Sequence, residues 1–212
     1  MRVSHKGFTL LELLIVIAIL AILSAVTIIV LNPAELLKKA RDSQRISDLS
    51  TIKTALGYWI VSTSSPVLSD DDTNDCQDGT DPDILFTHKT GLTNPTNWTI
   101  DANTAQTTGG AGWIEVNLNS LIGGTPIAKF PIDPSNSGPT AAGDNDLYYT
   151  YACHRGNVTF ELNANMESQF YKQGGPGDVE SKDGGDWTTI YEEGTAVNLL
   201  PSTSSAGYYL GE

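Results

Sequence analysis

The sequence predicts an α+β fold, with one long N-terminal helix packed on an antiparallel β-sheet. Three patterns point there. From Phe8 to Leu31 run 24 residues in which only Thr9, Glu12, Ser24 and Thr27 are polar. Ile46, Leu49, Ile52, Leu56, Trp59 and Ile60 then recur at helical spacing, which turns one face of a helix toward a core. Later the period changes to two: Tyr149, Tyr151 and Cys153 alternate with Tyr148, Thr150 and Ala152, as side chains do across a strand with an aromatic side.

Composition narrows the function classes. The 212 residues carry 25 acidic against 12 basic side chains, a net charge of -13. Only Glu12, Glu35, Asp42 and Asp48 of those acids precede Lys53, so 21 follow it, against 5 Lys and Arg. Direct nucleic-acid binding, which rests on neutralising phosphates, is disfavoured. Two cysteines exclude a disulfide-dense miniprotein and a four-thiolate zinc site. His5, His88 and His154 are scattered with no nucleophile motif, phosphate loop or metal triad beside them, so an enzyme is not expected.

As a helix the apolar run is about 36 Å long, enough to cross roughly 30 Å of hydrocarbon. A secretory signal would have an apolar core of about 7–15 residues; this run is longer and carries Glu12 five residues in. An ordinary anchor accounts for the length but not for the acid, because a carboxylate in a spanning segment is costly and marks function. Charge counting does not orient the segment: Arg2 and Lys6 precede it, and Lys38, Lys39, Arg41 and Arg45 follow.

Lys6-Gly7-Phe8-Thr9-Leu10-Leu11-Glu12-Leu13, with its apolar run, resembles the class III signal of type IV prepilins and type II secretion pseudopilins. The resemblance implies a leader at 1–7, cut by a prepilin peptidase between Gly7 and Phe8, and N-methylation of Phe8. It implies an apolar helix at 8–31, held in the inner membrane as precursor and in the filament core after assembly. An amphipathic half at 32–63 would pack on a globular α+β head at 64–212, in the pilin fold. Glu12 would meet the Phe8 amine of an adjacent subunit, since opposite charges attract strongly where the dielectric is low; a protonated, merely tolerated Glu12 is the alternative. The implied function is a structural subunit of a type IV pilus, built by an ATPase-driven assembly platform into a homo-oligomeric extracellular filament. A pseudopilin of a periplasmic pseudopilus is the second reading, although major pseudopilins usually have shorter heads. An uncleaved, membrane-anchored extracellular binding protein is the third.

Asn32-Pro33-Ala34-Glu35 reads as a helix start, with Asn as N-cap, Pro at the first position and Glu at the third. Before it, Val26-Thr27-Ile28-Ile29-Val30 is a β-branched run of weak helix formers, so a kink or local unwinding is expected between 26 and 33. Lys38, Lys39, Arg41, Asp42 and Arg45 should form a mixed charged surface, either solvated or touching acidic heads of neighbouring subunits.

In the head, strand signals lie at Trp113–Leu118, Leu147–Cys153 and Val158–Leu162, and more weakly at Thr188–Tyr191 and Ala196–Leu200. Ile84-Leu85-Phe86 and Trp98-Thr99-Ile100 interrupt a long polar stretch. Cys76 and Cys153 are expected to form one disulfide, two buried thiols being the alternative. Asp70, Asp72 and Asn74 have the alternating oxygen spacing of a calcium loop; a solvated acidic loop is the alternative. Asp133 with Asp144-Asn145-Asp146 resembles the calcium-loop region of major pseudopilins. Asp178, Glu180, Asp183 and Asp186 lie in a Gly-rich loop and are expected to be solvated.

Overall fold

A single residue divides the N-terminal helical region in two. The computed structural model describes residues 7–69, 76, 83–88, 90, 98–136 and 147–199. Helix α1 spans Leu10–Leu31 and helix α2 spans Pro33–Ser62. Between them Asn32 sits at φ 39°, ψ 74°, in the left-handed region that Asn tolerates better than most residues. Its side-chain carbonyl also accepts from Glu35 N–H at 3.4 Å, so one residue both ends α1 and caps α2. The expected break between 26 and 33 thus falls at Asn32, and the β-branched run itself does not unwind. It stays helical to Leu31, and Thr27 donates its hydroxyl to the Leu23 carbonyl at 2.8 Å, a bond that keeps a polar side chain satisfied within an apolar helix.

The chain forms two compact units, Met1–Lys38 and Lys39–Glu212. In the second, five strands make one sheet: β1 (Asp83–Thr87), β2 (Trp98–Ala102), β3 (Tyr149–His154), β4 (Thr159–Ala164) and β5 (Tyr191–Gly194). Their order is β2-β1-β3-β4-β5. The sheet is mostly antiparallel, as the α+β expectation requires, but β1 and β2 pair in parallel. These two strands are the apolar islands in the polar stretch.

One core joins α2 to the sheet. Leu49, Ile52, Leu56 and Trp59 from the predicted helical stripe, with Ala55, share it with Phe86, Tyr149, Tyr151, Phe160 and Leu162. Tyr151 stands between Phe86 and Phe160, with ring centroids 5.7 and 6.2 Å away, distances at which tilted aromatic pairs attract. Tyr149 donates its hydroxyl to Asp48 of α2 at 2.9 Å. Cys76 and Cys153 form a disulfide across 77 residues, with their Cα atoms 4.8 Å apart.

Three strand expectations fail. Trp113–Leu118 is a coil with a single bridge, Gly109 to Asn117, before a 3-10 turn. Trp113, Ile114, Val116 and Leu118 are all fully buried, so the apolar density reports a segment laid through the core rather than alternation across a sheet. Thr188–Tyr191 contributes only Tyr191, the first residue of β5, and 196–199 is not strand; Leu200 lies outside the described residues. On β3, β4 and β5 the face turned from α2 is not wet either. Thr150, Ala152, Glu161, Asn163 and Glu192 point away from the α2 side and are buried as well.

Candidate functional site: the N-terminal segment and the buried arginine

Gly7 and Phe8 precede α1 in non-helical, exposed backbone; Phe8 keeps 77% of its surface exposed. Thr9 is the N-cap of α1 and closes a capping box with Glu12. Glu12 N–H donates to Thr9 Oγ1 at 3.2 Å, and Glu12 Oε2 accepts from Thr9 N–H at 2.9 Å and from Thr9 Oγ–H at 2.8 Å. The arrangement satisfies helix-terminal donors that have no intrahelical partner and fixes the acid at the head of the helix. Both Thr9 bonds end on Oε2, and the Glu12 side chain stays exposed. Thr9-x-x-Glu12 is a capping-box spacing, a local signal beside the acid itself.

The described side chains of α1 are exposed along its whole length, and Leu10–Ile28 is long and apolar enough to cross a membrane. A soluble packed helix would bury such a stripe. This one requires lipid or other helices around it.

The predicted charged surface on α2 holds for Lys38, Lys39 and Arg41, which stay partly exposed, but not for Asp42 and Arg45. Asp42 and Arg45 are fully buried. Arg45 donates from Nε to Asp133 Oδ2 at 2.6 Å, from Nη1 to Asp42 Oδ1 at 2.7 Å, and from Nη2 to Asp133 Oδ1 at 3.0 Å. Nη2 also lies 2.7 Å from Glu167 Oε1. Arg41 donates to both Glu167 oxygens, at 2.7 and 2.5 Å. The surplus negative charge is spread over backbone donors: Asp42 accepts from Glu167 and Ser168 N–H at 2.9 and 2.8 Å, and Asp133 from Ser135 and Asn136 N–H at 2.7 and 3.1 Å. Burial opposes the Arg45 charge, but hydrogen bonds and charge from Asp133 and Glu167 outweigh it and push its pKa up. Burial likewise raises Glu167, yet Arg41 and Arg45 pull it down to about 2. Lys39 lies 4.0 Å over the Phe170 ring, a cation–π contact. These bonds tie α2 to 133–136 and 167–170, which the i,i+3 pair Asp42/Arg45 alone could not disclose.

The calcium readings meet this geometry unevenly. Asp70, Asp72 and Asn74 lie outside the described residues, as do Asp144, Asn145 and Asp146. Asp133 already gives both oxygens to a guanidinium, so Arg45 stands where a cation would have to bind. The Gly-rich loop is not solvated as expected. Asp178 accepts from Gly174 N–H at 2.9 Å and from the Ser181 N–H and hydroxyl at 3.0 and 2.6 Å, which lower its pKa to about 2. Glu180 is buried and accepts from Met166 and Gln173 N–H at 3.3 and 2.8 Å; burial outweighs these bonds and raises it to about 7. Asp183 accepts from Gly185 and Glu192 N–H at 3.0 and 2.7 Å. Asp186 alone of the four is exposed.

Residues 2–28 match the family model described as the prokaryotic N-terminal methylation motif. That motif is the class III signal of type IV pilins and pseudopilins, and it supports a pilin-like or pseudopilin precursor, anchored in a membrane and processed by prepilin peptidase. Neither a curated protein nor a solved structure matches the chain.

Proposed function

We propose that the protein is a structural subunit of a type IV pilus, which assembles rather than catalyses. The observation that carries this reading is the methylation motif at 2–28, whose residues from Leu10 onward form a helix with every described side chain exposed. Prepilin peptidase cuts between Gly7 and Phe8 and methylates Phe8. The new amine stays cationic after monomethylation, at the end of an apolar helix. A second copy shifted by about one helical turn sets that amine against Glu12, whose side chain is exposed. An assembly platform draws subunits from the inner membrane, and apolar helices exchange lipid for one another. The heads then form the surface of an extracellular filament.

Mass spectrometry of protein from the native host tests the processing. A mature chain beginning at N-methylated Phe8 is expected; an intact Met1 start rejects the filament reading in favour of a tethered ectodomain. Shearing cells then separates the two filament types. Recovery in surface fibres supports the pilus, and confinement to the periplasm supports the type II secretion pseudopilus.

A further inference from the structure

The face of the sheet opposite α2 is closed, and its polar atoms are not matched to one another. The register sets Thr150 beside Asn163 and Asn163 beside Glu192, one row across β3, β4 and β5. Glu161, two residues before Asn163, shares that face by strand alternation. All four residues are at most 1% exposed. The loop before β5 lies over them: Trp187 N–H donates to Glu192 Oε2 at 3.0 Å, and Gly185 approaches so closely that a Cβ there would overlap the Glu192 carboxylate. From the other side Leu199 N–H donates to Glu161 Oε2 at 2.6 Å. Within this enclosure Thr150 Oγ1, Asn163 Oδ1 and Glu192 Oε1 have neither solvent nor a hydrogen-bond partner.

Buried polar atoms are nearly always paired, so three unpaired oxygens in one row mark a missing positive group. The Thr150 hydroxyl carries a hydrogen of its own but reaches no acceptor, and a proton on Glu192 could serve only one of the other oxygens. A cation is shared among several oxygens. The donors are a hydroxyl, an amide carbonyl and two carboxylates, all hard oxygen ligands without thiolate or imidazole. Their spacing is set by strand pairing, not by an octahedron, and calcium tolerates irregular oxygen coordination where magnesium does not. The two carboxylates balance a double positive charge. Among the described residues no three His, Cys, Asp or Glu side chains converge as a metal group, so the neutral oxygens of Thr150 and Asn163 are essential to the set. We propose that Thr150, Asn163 and Glu192, with Glu161, form a calcium site that clamps the 183–199 segment onto the sheet.

The test uses the full chain in detergent micelles, stripped with chelator at pH 7.5. Calorimetric titration with calcium should give one site per chain, and saturating calcium should raise the melting temperature by at least several degrees. Terbium at the site should luminesce on excitation of Trp187 and Tyr191. Glu192→Gln should abolish binding. Thr150→Val, which keeps the side-chain shape, should weaken it at least tenfold with an unchanged circular dichroism spectrum, which covers the case of a Glu192→Gln chain that does not fold. Asp70→Asn/Asp72→Asn should bind as the parent does. The proposal is overturned by no binding to the parent chain at 10 mM calcium, by binding that Thr150→Val leaves unchanged, or by binding lost only in the Asp70/Asp72 variant.

Discussion

Arg45 shows how one buried side chain can organise a surface that looks solvated in sequence. All of its hydrogen-bonding nitrogens are engaged by Asp42, Asp133 and Glu167. Removing one partner of a buried ion network leaves the others charged and unpaired, which typically costs about 3–5 kcal/mol. Arg45→Ala is therefore expected to lose that much in a urea denaturation series, and a loss below about 1 kcal/mol would show that the network is not the tie between α2 and the loops. Glu167 adds a pH signature. Its folded pKa of about 2 lies below the ordinary 4.5, so its contribution is complete above pH 4.5 and disappears as pH falls toward 2. The shift corresponds to about 3 kcal/mol at most, and solvent around the partly exposed Arg41 pair reduces it. Glu167→Gln should flatten the acid limb of stability between pH 4.5 and 2, and an unchanged slope in that variant would assign the limb to other carboxylates.

At the scale of elements, legibility followed the range of the interaction. α2 was readable because Leu49, Ile52, Leu56 and Trp59 carry their own period. β3 and β4 were readable because a short turn joins two alternating runs. The parallel pairing of β1 with β2 depends on partners that neither strand's composition specifies, and the buried coil at 113–118 has the apolar content of a strand without its ladder. At the site, Gly7, Phe8 and Glu12 stood out locally. The partners of Arg45 lie 88 and 122 residues further along, and no local pattern announces them. The disulfide is another long-range tie, closing 77 residues between the polar stretch and β3. Such a crosslink typically contributes about 2–4 kcal/mol, mainly by restricting the unfolded chain. Reduction should lower the melting temperature by about 5–15 °C for a unit of this size. Differential scanning calorimetry with and without a phosphine reductant measures it, and a shift under 2 °C would mean that the core alone fixes the Cys76 region.

For the whole molecule, the exposed apolar helix sets the problem that assembly must solve. Fully burying a Leu, Ile or Val side chain away from water is worth roughly 1.5–3 kcal/mol, and α1 presents well over a dozen of them. That sum holds the helix in a membrane or a filament, but it scarcely distinguishes the two, because lipid tails are as apolar as neighbouring helices. Extraction into a polymer with defined register then depends on a polar interaction that lipid cannot supply. Glu12 is the one ionisable side chain in α1, and its capping box holds it in place beside the proposed cleavage point. Glu12→Gln keeps the shape, keeps a carbonyl oxygen for the Thr9 N–H, and removes the charge. Leader cleavage should continue in this variant, while sheared surface filaments fall at least tenfold and processed subunits accumulate in the membrane fraction. Immunoblots of sheared and membrane fractions from the same cells read both quantities. Filaments at parental yield, cross-linked in the parental register, would show that the negative charge at Glu12 does not select the neighbouring subunit.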